Sequence, residues 1–170
     1  MKKIVIYSSQ TGNTKKVGEV IADELGCEAV SFESQKAQNL SEFDFIALGY
    51  YIDKGGPDSK FKRFIKENIK DKKVGLFITL GAEPEGEHGA HMLNGGKVLL
   101  EENGCEVLRE FICQGAISDE VMKQMREMVE KMGDKAMHQI TPERLARWEA
   151  SKSHPDENDL VNARKAFAGI

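Results

Sequence analysis

The sequence predicts one doubly wound α/β domain over residues 1–170, with a parallel sheet between two layers of helices. Short apolar runs and segments of helical periodicity alternate over residues 1–115, which is the element order that βαβ units require. Within the runs, apolar residues do not alternate with polar ones, and this is typical of strands buried on both faces. From residue 116 onward, the sequence predicts helices only.

The apolar runs predict five strands, over residues 4–7, 27–32, 43–50, 74–80 and 105–113. A helix after the first strand is indicated by the spacing of its apolar residues, which are Val17, Val20, Ile21 and Leu25. Gly26 is a typical C-terminal stop for that helix. The same spacing predicts helices over 61–69 and 92–100, after the third and fourth strands.

Residues 116–153 are predicted as a helical addition before the last helix. The addition contains a Met-rich stripe, and Thr141 followed by Pro142 suits the N-cap and first position of a helix. Asp156 or Asn158 is expected to open the last helix.

Composition and charge limit the classes of function. Apolar residues make up 40% of the chain and charged residues 31%, which is typical of a soluble globular protein. The first apolar run ends at Tyr7, short of the roughly 7–15 apolar residues of a secretory signal, and no stretch reaches membrane-spanning length, so we expect a cytoplasmic protein without a membrane contact. Cys27, Cys105 and Cys113 have no C-x-x-C spacing and are expected to be buried free thiols.

Nucleic acid is an unexpected partner for a chain with a net charge of −4. One basic stretch extends over residues 54–73, but it lacks aromatic residues placed for base stacking. We therefore interpret that stretch as a solvated helix face.

The motif that indicates chemistry is the loop between the first strand and the first helix, Ser8-Ser9-Gln10-Thr11-Gly12-Asn13-Thr14. A helix N-terminus presents free N–H groups and a positive dipole end to an anion. Four hydroxyl groups and the Asn13 amide add neutral donors, and Gly12 permits a positive φ or close approach of the backbone. Such a loop suits a monophosphate group.

Spacing argues against two other phosphate-binding loops. A Walker A loop needs G-x-x-x-x-G-K-[ST] and a dinucleotide loop needs G-x-G-x-x-G, whereas this loop has one glycine and its lysine follows Thr14. A polar turn that only caps the first helix remains the alternative from these residues alone.

Residues 9–14, Ser-Gln-Thr-Gly-Asn-Thr, resemble the [ST]-x-T-G-N-T phosphate signature of the flavodoxin family, in the same strand–loop–helix position. The resemblance covers residues 2–115 and the last helix. It implies a flavodoxin-like three-layer sandwich with strand order 2-1-3-4-5 and one FMN at the switch point between the first and third strands. It also implies an electron carrier that passes low-potential electrons to a redox enzyme or reductase.

The resemblance places the flavin ring between the loops after the third and fourth strands. The candidate residues there are Tyr50, Tyr51, Ile52, Asp53, Lys54, Thr79, Leu80, Gly81, Ala82 and His88. We expect Tyr51 to stack on the ring and Leu80 to cover its other face. Flavodoxins usually have an aromatic residue or Met near position 53 and an aromatic residue near position 80 or 82, whereas this chain has Asp53, Leu80 and Ala82 there. The charge of Asp53 is expected to lower the flavin potential.

Residues 49–55, Gly-Tyr-Tyr-Ile-Asp-Lys-Gly, are similar to the G-[YF]-[WY]-[VI]-D-K-G loop of clostridial-type flavodoxins, which implies an anaerobic source. His88 and His91 have helical spacing, but no third or fourth ligand is evident, so no metal is expected. Acidic clusters at residues 83–87 and at Glu101-Glu102 are expected to steer docking to a basic patch on a redox enzyme.

Two expectations remain open in the sequence. The Met-rich stripe of residues 121–132 predicts either core packing or an adaptable surface for a partner or a homodimer. No constellation of catalytic acid, base or nucleophile is evident. An FMN-dependent NAD(P)H:quinone or flavin reductase acting on a small substrate is the alternative function.

Overall fold

A computed structural model describes residues 1–136 and 139–170. The strands are β1 (Lys3–Tyr7), β2 (Ala29–Ser31), β3 (Phe45–Tyr51), β4 (Lys73–Leu80) and β5 (Glu106–Gln114). The helices are α1 (Asn13–Leu25), α2 (Ser59–Asn68), α3 (Glu87–Glu101), α4 (Asp119–Met132), α5 (Pro142–Ser151) and α6 (Glu157–Phe167). Short 3₁₀ turns occupy Gln35–Gln38 and Gly133–Lys135.

All five strands are parallel and lie in the order β2-β1-β3-β4-β5, as the resemblance implied. The strand order reverses direction between β1 and β3, so the loops that follow these two strands diverge and leave a crevice at the carboxyl edge. β1, β3 and β4 are in register there, because Tyr7 pairs with Gly49 and Gly49 pairs with Phe77.

The bounds of β1, β4, β5 and α2 lie within two residues of the predicted ones, and those of β2, β3 and α3 differ in the following ways. β2 is shorter than 27–32, and β3 begins at Phe45. Phe43 lies outside the strand, with its ring beneath the Lys2 ammonium group. α3 starts at Glu87, before the predicted residue 92, because its first turn is exposed apart from Gly89 and so lacks an apolar stripe. Asp156 opens α6 with a capping box, and Thr141 and Pro142 begin α5 as predicted.

Two hydrophobic cores lie on the two faces of the sheet. One joins the sheet to α2 and α3 around Phe61 and Leu76, and the other joins it to α1 and α6 around Phe77 and Phe167. A β-carbon at Gly49 would lie 2.0 Å from the Phe77 ring, so the β3–β4 pairing in this second core requires a glycine.

The helical addition differs from the core interpretation of its Met-rich stripe. In the described part of the chain no residue of α4 is buried, and Met128 and Met132 are 49% and 48% exposed. The core prediction for this stripe is therefore wrong, and its expectation as a contact surface stays a prediction. Within the described ranges, none of the helices is long and apolar enough to span a membrane.

The cysteines are free, as expected, but only two of them are buried. Cys105 and Cys113 are buried, whereas Cys27 is half-buried. Burial raises the pKa of all three thiols, so each is a poor nucleophile at neutral pH.

Candidate functional site

The candidate site lies at the carboxyl edge of the sheet, where β1, β3 and β4 end. Three loops leave this edge, over residues 8–12, 52–58 and 81–86. Backbone hydrogen bonds hold the strand ends together: the Ser8 amide donates to the Gly49 carbonyl at 2.9 Å, and the Ile52 amide donates to the Thr79 carbonyl at 3.0 Å. The topology thus brings the three predicted loops to one crevice.

The first loop leads into a helix that has no side-chain cap. Gly12 is the N-cap residue of α1, with a left-handed φ of 96°, and no side chain accepts from the first amides of the helix. By contrast, side-chain oxygens cap four other helices of the described chain, and these caps are Asp58, Ser118, Thr141 and Asp156. α3 resembles α1, since it begins after Gly86 without a side-chain cap. Both uncapped N-termini follow loops of the candidate site, whereas the 52–58 loop leads into α2, which Asp58 caps.

The side chains of the first loop divide into two groups. Gln10 and Thr11 are exposed, and the Ser9 hydroxyl accepts from the Gly12 amide at 3.1 Å. Ser8 and Thr14 are buried, and their hydroxyl groups bond within the protein. The Thr11 hydroxyl oxygen likewise accepts from Asn13 Nδ2 at 3.3 Å. Ser9 and Thr11 therefore act as acceptors within the loop, and their O–H hydrogens are left to donate to a ligand.

Internal hydrogen bonds tie the first loop to both neighbouring loops. The Ser8 hydroxyl donates to the Asp58 carboxylate at 2.6 Å, and the same carboxylate accepts from two amides at the start of α2. The hydroxyl oxygens of Thr14 and Thr79 lie 2.8 Å apart in the interior. These contacts fix the positions of the three loops relative to one another.

The Asn13 side chain connects the first loop to the helical addition. Its Nδ2 donates to the Ala116 carbonyl at 3.0 Å, and the Ala116 amide donates to the His154 carbonyl at 2.8 Å. A β-carbon at Gly115 would lie 3.0 Å from the same Nδ2, so the chain passes close to Asn13. Asn13 therefore fixes the first loop against residues 115–116, at the start of the helical addition.

The second loop contains Tyr50, Tyr51 and Ile52 at the end of β3. Tyr50 is 1% exposed, and the centroid of its ring lies 6.0 Å from that of Phe61 in the core. Its side chain is therefore buried, and only its backbone is placed to contact a ligand. Burial raises the pKa of its hydroxyl, which has no hydrogen-bond partner among the described residues. Ile52 packs against the same core.

Tyr51 is half-buried at the carboxyl edge, which is compatible with its expected stacking role. Partial burial raises its pKa, and the carboxylates of Asp58 and Asp53 raise that pKa further. The Tyr51 hydroxyl therefore stays protonated at neutral pH and adds no charge to a site that already holds two carboxylates.

A two-residue turn follows Tyr51 and Ile52. Asp53 and Gly56 exchange two backbone hydrogen bonds, with N···O distances of 2.7 and 3.2 Å. The two residues between them, Lys54 and Gly55, have φ values of 50° and 88°, the signature of a type I′ turn. Lys54 thus takes a left-handed conformation that favours Asn or Gly.

The third loop follows β4, and its first residues are buried. Thr79 and Leu80 are 2% and 4% exposed, whereas Ala82 and His88 are exposed. A β-carbon at Gly81 would lie 2.6 Å from the Ile117 side chain, so the helical addition packs directly against this loop.

Sequence reasoning missed Asp58 and the residues Ala116 and Ile117 of the helical addition. The signal for Asp58 was a Pro-Asp-Ser run just before a helical stripe, which is a typical N-cap pattern. No local signal marks Ala116 or Ile117, because their contacts with the first and third loops are made across the sheet edge.

A second polar cluster lies at the start of α6. His154, Asp156 and Asp159 bring potential ligand atoms within 4.8 Å of one another. Their atoms are already engaged, however: His154 Nδ1 lies 2.6 Å from an Asp159 oxygen, and both carboxylates accept backbone amides in the capping box. The cluster is explained as a helix cap.

A cavity of about 580 Å³ lies at the opposite edge of the sheet. Its walls come from Met1 to Ile4, from residues 25–28, and from Asn39 and Phe43. None of the three loops lines it, and doubly wound sheets bind ligands at their carboxyl edge. The crevice between the loops is therefore the better candidate.

A family model described as a flavodoxin domain matches residues 4–168. The chain belongs to the flavodoxin family. The match includes the helical addition as well as the sheet, so a flavodoxin-family protein can contain this segment.

One similar protein of this family is the flavodoxin-like domain-containing protein BilS of Clostridioides difficile strain CD3, which is 35% identical over 167 residues and matches 96% of this chain and 92% of its own. A two-electron reduced flavodoxin from Megasphaera elsdenii has 28% identity and a TM-score of 0.54, covering 65% of this chain and 84% of its own. A flavodoxin from the domain Archaea shares the fold at 22% identity, with a TM-score of 0.58 over 81% of this chain and all of its own.

Proposed function

We propose that this flavodoxin-family chain binds one FMN at the carboxyl edge and passes electrons between the flavin and a redox partner protein. The observation that carries the proposal is the uncapped N-terminus of α1, which begins at Gly12 in a left-handed conformation beside the exposed Thr11 side chain. Free amides and neutral hydroxyl donors at one helix start are the donor set that a phosphate monoester needs.

The charges around α1 support binding by neutral donors. Lys15 is exposed near Glu19, at 3.7 Å, and the Lys16 ammonium donates to the Pro155 carbonyl at 2.8 Å. Both cations are thus engaged away from the loop. A phosphate there would be held by backbone amides, Ser9 and Thr11, with the helix dipole favouring its charge.

The other two loops suit a flat ring. Tyr51 lies half-buried beside the Asp53–Gly56 turn, and Ala82 is exposed on the loop across from it. When bound, FMN would supply the electron-transfer chemistry. The protein's part is to stack on the ring, exclude water from its faces and surround it with carboxylates, which disfavour a negatively charged reduced ring and lower its potential.

The decisive experiment is FMN retention by Thr11→Val, with Thr11→Ser as the matched control. Losing one hydrogen bond to a charged phosphate costs about 1.5–3 kcal/mol, so we expect roughly 10- to 150-fold weaker FMN binding for the valine variant. The serine variant keeps the hydroxyl group and should bind like the unchanged protein. Fluorescence titration of FMN measures both affinities.

Equal FMN affinity in Thr11→Val and the unchanged protein would contradict the proposed phosphate site. A protein that stays colourless after FMN is added would overturn the whole proposal. Rapid NAD(P)H consumption with a small quinone, in the absence of any protein partner, would favour the reductase alternative. A cytoplasmic location and an anaerobic source stay predictions of the sequence.

A further inference from the structure

Basic residues are concentrated in one segment of this acidic chain. Residues 59–73 contain seven Lys or Arg residues and two acidic ones, although the whole chain has 24 basic and 28 acidic residues. The segment corresponds to α2 and the connection into β4. A strongly positive helix thus lies on a protein whose remaining surface is negative.

The cations of α2 form one exposed surface. Lys60, Lys62, Arg63 and Lys66 are all exposed, and we call these four residues the basic ridge. The opposite side of α2 is apolar and buried through Phe61, Phe64 and Ile65. Of the ion pairs found within the described ranges, none involves a residue of the basic ridge. The ridge therefore presents positive charge that the chain itself does not neutralise.

The position of the basic ridge relates it to the candidate site. α2 begins directly after the 52–58 loop, and Asp58 at its N-cap bonds to Ser8 of the first loop. Lys54 is exposed in the turn of the same loop. The ridge is thus rigidly connected to the loop that is proposed to contact the flavin ring.

A cleft lies beside the basic ridge, so the positively charged surface is also concave. The cleft has a volume of about 220 Å³ and lies between α2 and α3, where Lys62 and Lys66 line the α2 side and Gly95 and Glu102 line the α3 side. Residues 55–57 of the second loop also line it. The cleft thus holds two ammonium groups and one carboxylate, which leaves a net positive charge for an acidic side chain of a partner.

We propose that the basic ridge and its cleft are the docking surface for an acidic patch on a redox partner protein. Its role in electron transfer rests on the proposed function, because docking here brings the partner next to the loop that contacts the ring. Complementary charge accelerates encounter and fixes orientation more than it adds affinity, which suits a transient carrier. This surface differs from the acidic residues 83–87, from which the sequence predicted a basic partner.

The structure favours a protein over a nucleic acid as the occupant. Phe61 and Phe64, the aromatic residues of α2, are 0% and 6% exposed and so offer no face for base stacking. The negative charge of the rest of the chain would repel a long phosphate backbone that extended beyond the ridge.

The test is a nuclear magnetic resonance titration of the FMN-loaded, ¹⁵N-labelled protein with a glutamate-rich dodecapeptide at low salt. We expect saturable shifts concentrated in the amides of residues 54–66, weakening as salt is added. The charge-reversed variant Lys62→Glu/Lys66→Glu should bind the peptide about tenfold or more weakly. The control, Lys123→Glu/Lys131→Glu, makes the same change in net charge on α4, where both lysines are exposed, and should bind within about twofold of the unchanged protein.

Equal weakening in both variants, or shifts spread evenly over the molecule, would overturn the proposal. Tighter binding of a twelve-nucleotide thymidine strand than of the peptide at equal salt would overturn it in favour of nucleic acid. The titration detects backbone amides and not the flavin, so the two proposals are tested separately. Failure to retain FMN would contradict the proposed function, whereas the docking surface is tested by peptide binding whether or not FMN is bound.

Discussion

The hydroxyl oxygens of Thr14 and Thr79 lie 2.8 Å apart where α1 crosses the end of β4, and both residues are almost fully buried. Thr11, three residues earlier, is exposed, and its hydroxyl oxygen accepts only from Asn13 Nδ2, at 3.3 Å, so its O–H hydrogen is left to donate to a ligand. Two threonines of one motif thus have different roles. Thr14 stabilises the contact between α1 and β4 at the candidate site, whereas Thr11 is exposed to a ligand.

This difference predicts the result of a double-mutant cycle at Thr14 and Thr79. Each single change to Val leaves a buried hydroxyl group without its partner, and we expect a loss of about 1–3 kcal/mol in the free energy of unfolding. The double Val variant should lose less than the sum of the two, because no buried hydroxyl is then left unpaired. Urea denaturation measures all four proteins, and strictly additive losses would show that the two hydroxyls do not interact.

At the scale of single elements, the helix starts separate structural roles from functional ones. α6 opens with a reciprocal capping box between Asp156 and Asp159, while α1 opens at Gly12 without a side-chain acceptor. A cap satisfies the free amides of a helix within the chain, and a missing cap leaves those amides for a ligand.

The α6 cap predicts an acid-sensitive contribution to stability. The hydrogen bond from the Asp159 amide, more than the nearby His154, lowers the pKa of the Asp156 carboxyl in the folded protein. Because the folded pKa lies below the unfolded one, this contribution is present above the unfolded-state pKa of about 3.9 and is lost as pH falls through the folded value. Asp156→Asn keeps an acceptor oxygen but does not titrate there, so its melting temperature should fall less steeply on acidification.

Thermal unfolding followed by circular dichroism over about pH 2 to 6 measures this difference. Asp119→Asn is the matched control, since Asp119 is also acidic and lies in the first turn of a helix, but Ser118 caps that helix. Identical pH profiles for Asp156→Asn and the unchanged protein would contradict the prediction.

At the scale of the whole molecule, the helical addition packs against loops of the candidate site and also exposes part of α4 to solvent. Ala116 bonds to Asn13, and Ile117 packs against Gly81, so the addition contacts two of the three loops. The outer side of α4 has Met128 and Met132 about half exposed. Met side chains adapt to varied partners, and a homodimer through this face stays a prediction.

The dimer prediction is tested by Met128→Glu/Met132→Glu. If α4 pairs with a second copy, sedimentation of the unchanged protein should show a dimer at micromolar concentration, and the double variant should be monomeric because two buried carboxylates would face an apolar interface. FMN retention should stay the same, since neither Met lies on the three loops of the site. A monomer in both proteins would exclude this interface.

Most of the fold was predictable because local patterns determine it: continuous apolar runs predict strands buried on both faces, and Gly26 and Asp156 mark helix ends. The first loop was equally readable, since its residues are contiguous. By itself, the sequence therefore determined the strands, most of the helices, the position of the candidate phosphate loop and the family resemblance. Only the tertiary structure decided which hydroxyls face inward, that Tyr50 is buried and that Asn13 contacts the helical addition. It also decided that the basic ridge of α2 lies beside the 52–58 loop without an ion pair among the described residues. These features depend on contacts between residues far apart in the chain, such as Thr14 with Thr79 and Asn13 with Ala116, and no local pattern of residue types records such distances.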